Sequence, residues 1–228
     1  MRRGFAVHLA GDQHLGSTIQ YGIDGWEDAA FALCVPSIAN FFPRRWFPPR
    51  PGQDRSPGSA GYTGRYIDGF GNRMTVHAVS NPVRTDKEPS ALQDLAPGYG
   101  IARFNRSDRR VRLEAWPRWA DPAAGDEPYP GWPVEFDQLQ GYGGTPAGWL
   151  PELRISGAEE PVVRIVDESS GEVVYTLRIQ GDTFVAPVFA PGSYTAHVGE
   201  PGTDRWTAVS GLFPGPGSRT DPIDVRFR

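Results

Sequence analysis

The sequence predicts a mostly-β chain in two parts, and three observations support that class. The 228 residues include 28 glycines and 23 prolines beside 7 tryptophans, 8 tyrosines and 12 phenylalanines, which is typical of short strands joined by tight turns around an aromatic core. Two segments in the first half have the pattern of β-hairpins. The second half repeats short alternating strands about every ten residues, and no segment predicts a long helix.

Composition and charge exclude several classes of protein. The net charge of −4 and the scattered arginines disfavour binding to nucleic acid. No apolar stretch approaches the roughly 20 residues of a membrane span. Cys34 is the single cysteine, so the chain can form neither an internal disulfide nor a paired-cysteine metal site. Its apolar neighbours favour a small buried side chain over a catalytic nucleophile.

The first strand is predicted at residues 4–10, which are nearly all apolar and therefore expected to be covered on both faces. The segment is too short to be the apolar region of a signal peptide. His8 lies within it and is expected to be a buried, hydrogen-bonded core residue. A domain seldom begins on an interior strand, so we expect that part of the fold precedes this sequence. A second apolar run follows at residues 29–35.

Two hairpins are predicted next. Residues 66–67 and 74–79 flank the turn signal at 68–72, and residues 100–104 and 111–116 flank residues 105–110. One short helical turn is predicted at residues 90–95. Residues 117–149 are irregular and end in a glycine-rich stretch, which is the best domain boundary in the chain.

After that boundary, seven short strands are predicted in residues 150–228. In the third of them Tyr175, Leu177 and Ile179 alternate with polar residues, as the two faces of a half-buried strand require. Strands of this length and spacing favour an immunoglobulin- or fibronectin-like β-sandwich. The predicted runs are 150–156, 161–167, 172–180, 183–189, 192–199, 205–210 and 222–227.

Candidate metal ligands stand at the end of the first strand, in Gly11-Asp-Gln-His14. Residues two apart in an extended stretch point the same way, so the carboxylate of Asp12 and the imidazole of His14 could converge on one point. Oxygen and imidazole are suitable ligands for zinc, iron or manganese. The alternative is a turn capped by Asp12 beside a solvated or hydrogen-bonded histidine.

The same segment opens a resemblance to a known family. Gly11-Asp-Gln-His14, Tyr21-Gly22-Ile-Asp24-Gly-Trp26, Pro36-Ser37 and Pro43-Arg-Arg-Trp46 follow one another as in the closing section of the PhoD-like (alkaline phosphatase D-like) metallophosphoesterases of the calcineurin-like superfamily. The superfamily motif is Gly-His-x-His. His14 matches its second histidine, and Asp12 stands where the first would be. The resemblance covers roughly residues 4–116.

The resemblance implies a fold and an activity. Residues 1–149 would be the C-terminal part of a calcineurin-like metallophosphatase β-sandwich with a β-rich extension. The activity would be hydrolysis of phosphate mono- or diesters by metal-activated water, with divalent iron, zinc, manganese or calcium bound by Asp12 and His14. The family's other ligand motifs, Asp-x-His, Gly-Asp and Asn-His-Asp/Glu, lie upstream of the closing motif, and none of them stands before Gly11 in this sequence. We therefore expect a phosphoesterase fragment that is inactive alone, and the family's exported members favour an extracytoplasmic site.

Two further sets of residues concern ligands. Arg44 and Arg45 could contact a phosphate group, since a guanidinium binds phosphate through two donors, or they could stack on neighbouring aromatic rings. The expected partner is thus a small phosphate ester, with the oligomeric state open. The rival function is a non-enzymatic β-rich protein that binds carbohydrate or a surface polymer; a purely structural pair of sandwiches is a third possibility. The rival's candidate stacking platforms are Trp116, Trp119, Tyr129 and Trp132.

Overall fold

A computed structural model of the chain describes residues 2–39, 44–46, 48–81, 96–143, 146–216 and 221–226. Within those ranges the secondary structure consists of strands and short 3-10 turns, which confirms the mostly-β class. None of the helical segments there has the length and apolar character needed to traverse a bilayer. The helical turn predicted at 90–95 lies outside the described residues. The chain divides into two compact units, Ala6–Gly143 and Arg2–Phe5 with Gly144–Arg228.

A five-stranded mixed sheet forms one layer of the first unit. Strand β1 pairs in parallel with β3, and the other neighbours are antiparallel, in the order β1-β3-β2-β5-β4. Alternation along the strands gives the sheet two chemically different faces. The strands are β1 (His8–Ala10), β2 (Ser17–Gly22), β3 (Phe31–Cys34), β4 (Gly64–Ile67) and β5 (Arg73–Val79).

One face of that sheet packs against a three-stranded antiparallel sheet of β6 (Gly98–Phe104), β7 (Arg110–Pro117) and β8 (Val134–Asp137). The rings of Phe31 and Phe136 stack with centroids 3.8 Å apart. This apolar layer is the main core of the unit, and it leaves the opposite face of the five-stranded sheet for the cleft described below. The buried members of the core are Phe31, Leu33, Val111, Leu113 and Phe136.

Both predicted hairpins are present, as β4–β5 and β6–β7. In the first, the carboxylate of Asp68 accepts hydrogen bonds from the backbone N–H groups of Phe70 and Asn72, both at 2.8 Å. The side-chain amide of Asn72 donates to the same carboxylate at 2.9 Å. These bonds satisfy the polar groups of the turn locally, so the turn residues alone specify it.

The prediction of a first strand buried on both faces is wrong. Residues Arg2–Gly4 form a 3-10 turn, and β1 has only three residues, of which His8 and Leu9 are exposed. Among the described residues the strand is at the edge of its sheet and pairs only with β3, so fewer neighbours cover it. Phe5 is buried within the second unit instead, with its ring edge-on to Tyr175 at 5.1 Å.

The second unit confirms a strand in each of the seven predicted runs. A four-stranded sheet has the order β12-β11-β15-β16, a three-stranded sheet the order β13-β10-β17, and β14 pairs with β9. Tyr175 and Leu177 point inward as expected and are buried. The strands are β9 (Gly148–Trp149), β10 (Leu153–Ser156), β11 (Val162–Asp167), β12 (Val173–Arg178), β13 (Thr183–Phe184), β14 (Pro187–Val188), β15 (Tyr194–Gly199), β16 (Trp206–Leu212) and β17 (Ile223–Arg226).

Candidate functional site

A cleft of about 430 Å³ lies on the face of the five-stranded sheet that points away from the three-stranded sheet. Its volume is within the range of small-molecule sites. The floor consists of alternate residues of β1, β2 and β3, and the walls come from the loop after β1 and from the segment at residues 44–46. The described residues that line it are His8, Ala10, Gln13, Leu15, Ser17, Ile19, Tyr21, Ala32, Cys34, Arg44 and Arg45.

The loop between β1 and β2, residues 11–16, is fixed at its end by Ser80, the residue that follows β5. The backbone N–H of Gly16 donates to the Ser80 hydroxyl at 2.9 Å, and the N–H of Ser80 donates to the Gly16 carbonyl at 2.8 Å. A β-carbon at position 16 would lie 2.7 Å from the Pro36 ring and 2.9 Å from the Ser80 hydroxyl. Only glycine therefore permits this close approach, which sets the position of the loop against the sheet.

Asp12 and His14 lie in this loop with unusual backbone conformations. Their φ angles are 63° and 54°, in the left-handed region that non-glycine residues rarely adopt. Asp12 Oδ1 is 3.5 Å from His14 Nε2, and the exposed fractions of the two side chains are 93% and 18%. Neither is among the described residues that line the cleft. Gln13 and Leu15 line it instead, because they occupy the alternate positions of the loop.

This loop therefore provides only two of the metal ligands that the resemblance implies, Asp12 and His14. No group of three or more His, Cys, Asp and Glu side chains with the geometry of a metal site occurs among the described residues. A structural zinc site needs four protein ligands and a catalytic one three. The residues described here do not make a complete metal centre, and no chemical step is assigned to one.

Arg44 and Arg45 lie at the cleft, Arg44 exposed and Arg45 half-buried. Hydrogen bonds from both main-chain and side-chain groups attach their segment to the rest of the unit. The N–H of Arg44 donates to the His14 carbonyl at 3.2 Å, and the side-chain amide of Asn81 donates to the Arg44 carbonyl at 3.2 Å. The indole N–H of Trp46 donates to the Tyr62 carbonyl at 2.9 Å. Two guanidinium groups thus lie beside the loop that carries Asp12 and His14.

His8 and Tyr21 form a polar pair on the floor of the cleft. Nδ1 of His8 is 3.2 Å from the hydroxyl of Tyr21. Burial raises the pKa of Tyr21, with a smaller effect of Cys34 in the same direction, so the phenol keeps its proton at neutral pH. Burial also raises the pKa of the Cys34 thiol, which disfavours the reactive thiolate.

The expectation that His8 is a buried core residue is wrong, because the side chain is exposed and faces the cleft. Sequence reasoning also missed Gln13, Ser17 and Tyr21. The alternation of β2 could have placed Ser17 and Tyr21 on one face. Nothing in the sequence indicated that this face lies beside two arginines.

The aromatic residues proposed as stacking platforms have different environments. Trp116 and Trp132 are buried. Their indole N–H groups donate to the Glu114 carboxylate and the Thr18 hydroxyl, each at 2.9 Å. Tyr129 is half-buried, and its hydroxyl donates to the Pro97 carbonyl at 2.9 Å. Trp119, with 69% of its surface exposed, is the member of this set that is free to stack on a ligand.

Comparison of the chain with profiles of protein families, with curated proteins and with solved structures gave no match.

Proposed function

We propose that the first unit binds the phosphate group of an ester in this cleft, as the substrate-binding part of a metal-dependent phosphoesterase acting on phosphate mono- or diesters. The observation that carries the proposal is the position of Arg44 and Arg45 at the cleft. Guanidinium groups bind phosphate through paired, charge-assisted hydrogen bonds. The hydroxyl of Ser17 and the side-chain amide of Gln13 line the same cleft and can add neutral hydrogen bonds.

We also propose a specific type of β fold for each of the two units. The first unit is proposed to be the C-terminal part of a calcineurin-like fold, and the second an immunoglobulin- or fibronectin-like sandwich. Support comes from the order of motifs in residues 4–116 and from the number and spacing of the strands after residue 148.

The proposed role of a metal ion rests on the resemblance to the PhoD-like family alone. Asp12 and His14 would provide one carboxylate and one imidazole, and further ligands would have to come from outside the residues described. When bound, divalent metals supply hydroxide at neutral pH and stabilise charge on the phosphoryl oxygens. This chain's own described residues would bind the phosphate and orient the ester beside the loop at residues 11–16.

The experiment measures binding of inorganic phosphate to the 228-residue chain by isothermal titration calorimetry. Arg44→Gln and Arg45→Gln should each weaken binding about tenfold or more, because a charge-assisted hydrogen bond contributes roughly 1.5–3 kcal/mol. Arg50→Gln is the matched control, since Arg50 is exposed and is not among the residues that line the cleft. Equal losses in all three variants would contradict the proposal. Binding of an oligosaccharide without phosphate binding would favour the non-enzymatic alternative.

A further inference from the structure

The floor of the cleft changes its chemistry along the strands. The strand registers place Ala10 opposite Cys34 and Cys34 opposite Ser17, which makes one row across β1, β3 and β2. The next row, two residues along, contains His8, Ala32 and Ile19. Tyr21 follows Ile19 at the next position on this face of β2.

The charged end of the cleft lies beside the first row. The backbone of Gln13 acts to lower the pKa of the Cys34 thiol, against the larger effect of burial, so the loop after β1 lies next to that row. The same loop accepts the hydrogen bond from Arg44 at the His14 carbonyl. The arginine segment is therefore attached at the Cys34 end of the floor.

An apolar band of Ala32 and Ile19 lies between this end and Tyr21 along the strands, and His8 flanks the band on β1. Ala32 and Ile19 are the middle of the floor, and Ala32 is buried while Ile19 is half-buried. Successive residues on one face of a strand are about 6.6–6.8 Å apart. Ala32 and Ile19 therefore give the middle of the floor an apolar patch about as long as one aromatic ring.

We infer that the cleft accepts a phosphate ester whose alcohol is a flat apolar group, an aryl phosphate. This inference rests on the proposed function and names its substrate class. The phosphate lies at the arginine end, and the ring lies over Ala32 and Ile19. A polar substituent opposite the phosphate then reaches the hydroxyl of Tyr21, which His8 orients at 3.2 Å.

The test compares three ligands on the full chain by calorimetry: inorganic phosphate, glycerol phosphate and phenyl phosphate. Phenyl phosphate should bind about tenfold more tightly than the other two, because only its ring removes apolar surface from water. Ile19→Thr should remove most of that preference while leaving the affinity for inorganic phosphate unchanged. Threonine keeps the β-branched shape that a strand favours, so the sheet should be retained.

Ile67→Thr is the matched control, because Ile67 is an isoleucine in a strand of the same sheet, is 57% exposed and is not among the residues lining the cleft. Ile67→Thr should leave the affinities for phenyl phosphate and for inorganic phosphate unchanged. The role of Tyr21, at the end of the floor opposite the arginines, is tested with 4-hydroxyphenyl phosphate. This ligand should bind more tightly than phenyl phosphate, and Tyr21→Phe should abolish the difference in affinity. No difference between these two ligands in the unaltered chain would overturn the assignment of Tyr21.

The two proposals fail in different ways. Equal affinity for phenyl phosphate and inorganic phosphate, with both weakened by Arg44→Gln, would overturn the aryl phosphate inference and leave phosphate binding intact. Absence of binding by every phosphate ligand would overturn the proposed function together with the inference.

Discussion

The backbone N–H of Arg44 donates a hydrogen bond to the carbonyl oxygen of His14 at 3.2 Å. The bond joins the two segments that sequence reasoning had selected separately, one for metal and one for phosphate. The bond uses main-chain atoms of both residues, so it does not involve the guanidinium of Arg44 or the imidazole of His14. The arginine pair and the loop with its left-handed Asp12 and His14 therefore form one structural unit around the cleft.

We expect no turnover of p-nitrophenyl phosphate by the 228-residue chain in the presence of manganese, zinc, iron or calcium ions. Asp12 and His14 supply two ligands, and the described residues bring no third to them. Two ligands cannot hold the pair of metal ions that a two-metal hydrolysis requires. The measurement is the release of p-nitrophenol, followed by its absorbance, over a range of metal concentrations. Metal-dependent release that His14→Ala abolishes and His197→Ala retains would contradict this expectation.

Phe5→Ala should destabilise the second unit, although residue 5 is near the start of the chain. Phe5 is 6% exposed, and its ring packs edge-on against Tyr175. Removing a buried phenyl ring costs about 3–5 kcal/mol. Hydrogen exchange should show faster exchange at the amides of β11, β12 and β15 and little change in β6 and β7.

Phe70→Ala is the control for that substitution. The ring of Phe70 is 94% exposed at the tip of the β4–β5 hairpin, so its loss should change stability by less than about 0.5 kcal/mol. If exchange in the second unit were unaffected by Phe5→Ala, the assignment of Arg2–Phe5 to that unit would be wrong.

Asp28→Ala should destabilise the first unit. The buried carboxylate of Asp28 accepts hydrogen bonds from the backbone N–H groups of Ile23, Asp24 and Gly25 at 2.6, 2.9 and 2.8 Å. Hydrogen bonds to a charged group contribute roughly 1.5–3 kcal/mol each, and the three share one acceptor group, so we expect a loss of about 3 kcal/mol. Urea unfolding followed by tryptophan fluorescence measures it. Glu127→Ala, at an exposed side chain of the same unit, should cost less than about 0.5 kcal/mol.

Stability should decrease as the pH falls below about 6.5, and His77 should contribute to the decrease. Burial lowers the pKa of His77, while the negative charge of Glu27 acts in the opposite direction. The imidazole stacks on Phe31 with ring centroids 5.3 Å apart. Between the folded pKa and the unfolded one the unfolded chain binds more protons, so acid favours unfolding.

The measurement for His77 is the midpoint of thermal unfolding at pH 7.5 and at pH 5. His77→Phe keeps a ring beside Phe31 and cannot be protonated, so the loss of stability between the two pH values should be smaller in this variant. His197→Phe, at a half-buried histidine of the second unit, should retain the full loss. An unchanged pH dependence in His77→Phe would exclude His77 as its cause.

The sequence by itself determined the elements whose causes are local. The β4–β5 turn follows from Asp68 and its neighbours, and the alternation of Tyr175 and Leu177 predicts both a strand and its buried face. Residues close in the chain decide these features, so their pattern can be read without the fold. The sequence also selected Arg44 and Arg45, which the fold places together at a cleft.

Only the tertiary structure decided which faces and partners these elements have. His8 looked like a core residue, yet it is exposed because β1 is an edge strand, and it meets Tyr21 from a different strand. Phe5, three residues before β1, packs instead on Tyr175, 170 positions further along the chain. Such contacts depend on strand order and on closing long loops, and no periodicity in the sequence encodes either.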